Sequence, residues 1–441
     1  LEKCIVKAVL SNRIYLDDPG PAARKFIESQ LTYKFPKVIS ASKKTGLTAG
    51  LETVKSYKNL VKGILSIPQG RLDLIPEDYE IVDKRVTNVV PFPQPKYPLR
   101  EAQQVVYDDV SDTCFINALV GWGKTFTALH IARKLGQKTL VITHTTALRD
   151  QWYDECTQLF GLEPGIIGSG KYDIEDHFVV IGNIQSLKKY KADLAKEFGT
   201  IILDEAHHCP ANMFTDFVDS SYARYRIALS GTMFRKDGKH KMFPDYFGTK
   251  VYQPPQSDTL TPVVKLVKTN IALNGKLPWT ERVTELVSND EYVRFIAATA
   301  LAQVIKGHSV LIIGDRIEFL KQVAEYVGET CVLVTGDTDY DAREKAKQQL
   351  LSKEKMCVVG SRQIFSEGIS INILSSVILA TPIGNNEALL EQIIGRVQRQ
   401  HPEKKTPPEV LDIQFAGWAD RKQNNDRLAL YMRKGWEIVT V

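Results

Sequence analysis

The sequence predicts an α/β protein: two tandem, doubly wound parallel-sheet lobes behind a small α+β domain. Two runs of alternation carry that prediction. From residue 113 to 232, and again from 262 to 415, short apolar segments of strand length alternate with segments whose apolar residues recur at helical spacing. The third observation is a pair of proline-bearing breaks, at 90–98 and 250–262, which separate the parts. The expected domains are residues 1–89, 97–252 and 262–441.

A chain of 441 residues is too long for one ordinary core. Hydrophobic content of 43% and charge of 25% are those of a soluble globular protein. No run of 18 apolar residues exists, so no membrane span is expected. The first residues have neither the basic nor the apolar region of a signal peptide. Cys4, Cys114, Cys156, Cys209, Cys331 and Cys357 are scattered without a Cys-x-x-Cys pair. That pattern speaks against zinc and for free thiols in a reducing compartment.

In the first domain, segments 5–10 and 13–16 read as strands around Ser11-Asn12, and 21–30 as a helix. Segment 38–40 leads into a basic loop at 42–46. Segments 60–67 and 71–75 read as a hairpin around Pro68-Gln69-Gly70. No catalytic chemistry and no metal-ligand spacing is read here. Residues 1–70 hold 12 Lys and Arg against 5 Asp and Glu, so they carry +7 of a net +5 and the remainder sums to −2. A basic piece on a near-neutral body fits contact with a polyanion; it also fits a solvated lysine face. Lys43, Lys44, Lys55, Lys58 and Lys62 are the candidates for phosphate contact.

Past the stiff 90–98 stretch, Arg100 and Gln103 stand three apart, on one face of a starting helix. A glutamine amide can pair with the N6/N7 edge of adenine. A solvated helix start is the plainer reading, but these residues lie just upstream of a phosphate loop. That loop follows the apolar run 114–118 and contains Gly121-Trp122-Gly123-Lys124-Thr125. Leu129, Ala132 and Leu135 then recur at helical spacing. Strand, glycine turn, lysine, hydroxyl and helix make a cradle for phosphate. The glycines let backbone N–H groups close on phosphate oxygens. Lys124 reaches the β/γ-phosphates and the Thr125 hydroxyl can sit on Mg²⁺. Ala118 stands where the strict pattern has glycine.

Strands are expected at 138–143, 178–181, 200–203 and 226–229, with a helix at 145–160. A doubly wound parallel sheet places its ligand at the strands' carboxyl ends. Asp204 and Glu205 stand at such an end. The first can hold Mg²⁺ with Thr125; the second can orient and deprotonate an attacking water. His207, His208 and Cys209 have no second Cys/His pair at ligand spacing, so zinc is not expected. His207 is better suited to couple the hydrolysis site to its neighbours.

The second lobe shows helices at 291–306, 317–327, 342–352 and 386–398. Its strands fall at 309–313, 330–334, 355–360 and 377–380, with a final strand at 409–415. It has no phosphate loop, which suggests ATP bound between two lobes that share one. Gln392, Arg396 and Arg399 follow at i, i+4 and i+7, facing one way if the helix continues. Two such arginines suit charge growing on a γ-phosphate, where an arginine finger contributes about 10³–10⁵ in rate. A cationic surface helix is the alternative. Gly395, disfavoured in a helix by about 1 kcal/mol relative to alanine, argues for a packing reason instead.

Taken together, Gly121–Thr125, Asp204-Glu205-Ala206-His207, Ser230-Gly231-Thr232 and the 392–399 segment resemble, in kind and order, the motifs of superfamily 2 helicases. The resemblance covers about residues 97–415 and implies two RecA-like lobes, ATP and Mg²⁺. Leu148-Arg149-Asp150-Gln151-Trp152 and Thr232-Met233-Phe234-Arg235-Lys236-Asp237-Gly238 are similar to segments of the XPB/UvsW-like branch, which includes phage-type branch-migration helicases. By that resemblance Ser230 and Thr232 join His207 in coupling, and Gly368 of Glu367-Gly368-Ile369-Ser370 touches ATP. The strand's backbone would be held by Thr143, Thr145, Thr146, Gln185 and Ser186 in the first lobe. Asp315, Arg316, Thr335, Gly336, Ser361 and Arg362 would hold it in the second. Ser370 stands where the family usually has Asp, and Ser-Gly-Thr replaces the more frequent Thr-Ala-Thr.

The implied activity is ATP-driven DNA unwinding or translocation on forks and four-way junctions, in replication, recombination or repair. Other proteins of those processes are possible partners, and the location is the host cytoplasm if the chain is phage-encoded. Three rivals remain at this stage: a duplex-DNA motor of a restriction-type system, an RNA helicase, and a non-catalytic nucleic-acid clamp.

Overall fold

Short valine and isoleucine runs build the frame. Every residue of Thr139–Thr143, Val179–Asn183 and Thr200–Leu203 is buried, as expected of parallel strands covered on both faces. The computed structural model describes residues 6–37, 50–119, 121–208, 212–231, 237–254, 259–367, 371–383 and 386–441. The described chain divides into two compact units, residues 6–119 with 123–254 and residues 121–122 with 259–441.

The first unit holds an eight-stranded sheet in the order Lys171–Tyr172, Gly165–Gly168, Val179–Asn183, Thr139–Thr143, Thr200–Leu203, Tyr225–Ser230, Cys114–Asn117, Val251–Tyr252. Among the described strands of this sheet, only the Lys171–Tyr172 edge pairs antiparallel. All the long strands therefore end on one edge. Phe115, Leu140, Ile142, Ile201 and Phe243 belong to the core of this lobe.

The N-terminal part adds a five-stranded sheet: Lys58–Asn59, Leu65–Pro68, Arg13–Leu16, Lys7–Leu10, Glu80–Asp83. It has its own small core, including Ile14, Leu16, Ile27 and Ile67. A two-stranded ribbon, Thr32–Lys37 with Gly50–Lys55, runs out from it. The hairpin expected over 60–67 and 71–75 does not form. Only Leu65–Pro68 is a strand; Val61–Gly63 and Leu72–Leu74 are 3-10 turns. The cause is Arg71, whose buried guanidinium is tied to Asp73 at 3.0 Å and to Asp245 at 3.3 Å, so the chain turns inward after Pro68.

Neither proline-bearing break is a bare tether. Val90 N–H donates to Gly136 and Lys96 N–H to Leu159, while Phe92 meets Phe160 and Phe178 edge-on. The first break is thus laid along the lobe, and the second begins with the edge strand Val251–Tyr252 beside Phe115 and Ile116.

The second unit holds seven parallel strands in the order Cys331–Val334, Cys357–Ser361, Val310–Gly314, Ser376–Leu379, Glu409–Gln414, Val263–Lys268, Glu437–Thr440. Glu409–Gln414 is therefore not the final strand. The helix Trp418–Arg433 and the strand Glu437–Thr440 follow it. That helix escapes an apolar-periodicity reading because a buried ion pair docks it: Arg427 lies 2.7 Å from Asp412, and Tyr431 donates to the same carboxylate at 2.9 Å. Among the described residues no helix is long and apolar enough to cross a membrane.

Candidate active site

The strand Cys114–Asn117 leads through the glycine turn into the helix Lys124–Leu135. Gly121 at φ +89° and Gly123 at φ +91° occupy the left-handed region, where any other residue is strained. A Cβ on Gly123 would also stand 2.4 Å from Nε2 of Gln103. Gln103 is buried, and its Oε1 accepts the Arg100 backbone N–H at 2.9 Å. The helix start thus sets both Arg100 and Gln103 against the phosphate turn. Lys124 opens the helix and donates from Nζ to the Ala118 carbonyl at 2.9 Å. Thr125 follows it, and Trp122 is buried.

The strand Thr200–Leu203 delivers two carboxylates to the same edge. Asp204 is buried with both oxygens engaged: Trp152 Nε1 donates to Oδ2 at 2.8 Å and Glu205 N–H to Oδ1 at 2.8 Å. Burial and then the Glu205 charge push the Asp204 carboxyl above its ordinary value; Trp152 and Lys124 pull against them. Glu205 sits at φ +49°. Burial raises it too, but His207, Lys124 and His144 outweigh burial and hold it below the usual carboxylate range. His207 Nδ1 lies 3.2 Å from Glu205 Oε2 and 3.1 Å from Ser230 Oγ. One ring thus bridges a carboxylate at the end of one strand and a hydroxyl at the end of the next.

These parts fit a magnesium nucleotide. The turn has no room for a Cβ at Gly123, a helix N-terminus faces it, and a lysine, a hydroxyl and two carboxylates share the edge. Sequence reasoning gave no role to Trp152, which fixes Asp204; its signal was the Gln151-Trp152 pair itself.

Several strand-contact candidates share this edge. Thr143 is buried and donates to the Thr145 carbonyl; Thr145 Oγ1 caps the next helix through Leu148 N–H at 3.2 Å. Thr146 and Gln185 are exposed and Ser186 is half-buried.

In the second unit Asp315, Arg316, Thr335, Gly336, Ser361 and Arg362 all lie at carboxyl ends of strands. Arg316 and Gly336 are exposed. Arg362 is turned inward, onto Thr381 Oγ1 at 2.7 Å, the Pro382 carbonyl at 2.7 Å and Asp315 at 3.2 Å. The helix expected over 386–398 ends at Gly395. Gln392 is on it, Arg396 caps it and Arg399 lies beyond it, so the three do not share one helical face. Arg396 N–H bonds back to Ile393 and Val397 N–H to Ile394, the tightening of a helix end. Arg396 Nε donates to the Phe365 carbonyl at 2.8 Å, and Arg399 donates to Asn372 Oδ1 at 3.1 Å. Lys404 ties the Val397 and Arg399 carbonyls. Asn372 and Lys404 left no periodic signal. Lys43, Lys44, Thr232, Gly368, Ser370, Cys209 and the side chain of His208 lie outside the described residues.

A family model described as "Type III restriction enzyme, res subunit" matches residues 96–235, and "Helicase conserved C-terminal domain" matches 294–401. The chain is 41% identical to probable helicase D10 of Escherichia phage T5, over 99% of this chain and 96% of that one. It is a superfamily 2 helicase. Its branch is the XPB/UvsW-like one: it is 25% identical to DNA 3'-5' translocase XPB2 of Sulfurisphaera tokodaii, over 78% of this chain and 88% of that protein. The helicase also shares its fold with S. cerevisiae Dbp5 bound to RNA and ADP BeF3, at TM-score 0.58 and 12% identity, over 77% of this chain and 89% of Dbp5. Its two parallel sheets are thus tandem RecA-like lobes, and its activity is that of an ATP-dependent, nucleic-acid-binding helicase.

Proposed function

We propose that this helicase couples ATP hydrolysis to movement on DNA and remodels branched DNA, forks and four-way junctions. The observation that supports it most is the His207 bridge, which joins the hydrolytic Glu205 to Ser230 on a neighbouring strand. A switch of this kind connects nucleotide state to the edge where the strand would lie.

In this reading Lys124 and the turn at Gly121–Gly123 hold the phosphates, and Arg100 and Gln103 read the adenine edge. Thr125 and Asp204 would hold Mg²⁺, which supplies positive charge to the triphosphate. Glu205 orients and deprotonates the attacking water. Gln392, Arg396 and Arg399 answer the charge that develops on the transferring phosphoryl group, and Gly368 contacts the nucleotide. His207, Ser230 and Thr232 carry the coupling. Thr143, Thr145, Thr146, Gln185 and Ser186, with Asp315, Arg316, Thr335, Gly336, Ser361 and Arg362, track one strand's backbone. Residues 1–89 form a nucleic-acid-binding module, with Lys43 and Lys44 on phosphates, before lobes at 97–252 and 262–441. The work would be done in the cytoplasm.

Strand displacement from forks, four-way junctions and linear duplexes tests this reading. Preference for the branched substrates is expected; equal rates on all three overturn it. The family matched by residues 96–235 favours one second reading, duplex translocation without strand separation. Displacement of a triplex strand with no unwinding of forks would establish that instead. Stimulation of ATPase by RNA and not by DNA would move the whole reading to RNA.

A further inference from the structure

The ribbon Thr32–Lys37/Gly50–Lys55 presents two faces of opposite character. Its pairing puts Tyr33 opposite Val54 and Phe35 opposite Glu52 on one face. Phe35 is 1% exposed and joins the core that holds Phe115 and Phe243; Tyr33 and Val54 pack against it. The Tyr33 hydroxyl donates to Asp245 at 2.9 Å, and Arg71 reaches the same buried carboxylate at 3.3 Å. Glu52 pairs with Lys239 at 3.4 Å, and that ammonium lies 5.8 Å over the Phe35 ring. The inner face is therefore fixed to the ATPase lobe by apolar burial and a buried polar network. Both belong to one compact unit.

The outer face pairs Thr32 with Lys55, Lys34 with Thr53 and Pro36 with Leu51. Lys34, Pro36, Thr53 and Lys55 are exposed, and Leu51 is 70% exposed. Lys34 and Lys55 are diagonal neighbours on this face. No carboxylate stands on it. The single acid of the described ribbon, Glu52, points the other way. Neither lysine forms an ion pair among the described residues. A flexible basic tail would attract a polyanion equally well by charge alone. A rigid mount adds register: whatever the lysines hold keeps its place relative to the lobe that carries Lys124.

We propose that the outer face of this ribbon is a nucleic-acid contact surface, with Lys34 and Lys55 on the phosphodiester backbone and Pro36 and Leu51 against the sugar and base edges beside it. The proposal rests on the reading of this chain as a nucleic-acid motor and narrows its N-terminal contact to one mapped face. Because the mount is rigid, the contact advances with the first lobe in each cycle.

The test is anisotropy of a labelled fork, in DNA and in RNA, against salt concentration. It uses the full chain, Lys34→Ala/Lys55→Ala and the charge-reversed Lys34→Glu/Lys55→Glu. Each lost phosphate contact removes about 0.9 from the logarithmic salt slope on duplex and about 0.7 on single strand. The double alanine variant should therefore lose between about 1.4 and 1.8 of slope and weaken binding about tenfold near 150 mM salt. The reversed variant should bind more weakly still. ATPase without nucleic acid and the melting temperature should stay unchanged, since both side chains are exposed. A loss on either fork supports the proposal. If the reversed variant keeps the parent's slope and affinity on both forks, the ribbon assignment is wrong while the motor reading stands. If the parent chain binds neither fork, both fall together.

Discussion

The indole Nε1 of Trp152 donates to Oδ2 of Asp204 at 2.8 Å, from a ring with no exposed surface. A residue on the helix Thr146–Phe160 thus aims a carboxylate at the end of the strand Thr200–Leu203. The bond also opposes the burial that pushes Asp204 upward. Trp152→Phe keeps a ring there but removes the donor. A hydrogen bond to a charged group contributes about 1.5–3 kcal/mol, so a stability loss near 2 kcal/mol is expected. Asp204 becomes harder to ionise, and half-maximal ATPase should require about tenfold more Mg²⁺. Phosphate release titrated with Mg²⁺ measures this; an unshifted titration would show that Trp152 only fills space.

Lys124→Ala removes the ammonium that faces both Asp204 and Glu205. Loss of one preorganised charge donor costs about 10²–10³ in turnover. ATP hydrolysis should fall at least that far while fork affinity changes less than threefold, roughly the scatter of a surface substitution. Turnover at the parent rate would falsify the assignment of the phosphate turn.

Much of this site was legible because its chemistry lies in contiguous residues. Gly121 to Thr125 and Asp204 to His207 each state a local geometry that a strand end must present. The alternation of strands was legible for the same reason: Thr139–Thr143 and Thr200–Leu203 are buried throughout, so they read as unbroken apolar runs. What escaped depends on partners far along the chain. The failed hairpin at 71–75 turns on Asp245, the last helix on Asp412, and the ribbon on Phe35 entering a core built by residues after 114. The 386–398 helix overran because periodicity registers no stop. Its end at Gly395 is set by tightened backbone bonds and by Lys404, which ties carbonyls beyond it. Periodicity reports which side of an element is apolar and is silent on polar anchors.

His207→Ala separates two functions that Lys124→Ala merges. The imidazole contacts both Glu205 and Ser230. Without it Glu205 loses the first of the interactions that hold its carboxyl down, so its pKa rises. Lys124 still faces Glu205 and favours its charged form. Basal ATPase should therefore drop only about twofold to fivefold, within about 1 kcal/mol of barrier. Stimulation by nucleic acid should be lost. Measuring ATPase with and without a fork decides it; stimulation at the parent ratio would place the coupling elsewhere.

In the second lobe one carboxylate, Glu409, gathers Lys265, Gln303 and His308 around it. Lys265 meets it at 2.6 Å, Gln303 at 2.9 Å and His308 at 3.7 Å. Burial raises this carboxyl, but donation from His308, Lys265 and Gln303 prevails and lowers it from 4.5 to about 2. A carboxyl depressed in the folded state binds its proton less readily there than in the unfolded chain. Its stabilisation is then complete above the unfolded value and disappears as pH falls from about 4.5 toward about 2. With partial solvent screening the contribution is about 2 kcal/mol at neutral pH. Glu409→Gln should be destabilised by that amount at pH 7, where Lys265 is left facing a neutral amide. The gap from the parent should narrow steadily below pH 4.5. Urea unfolding of both proteins at a series of pH values reads the gap directly. A difference that stays constant down the acid limb would mean that packing, and not charge, is what Glu409 contributes.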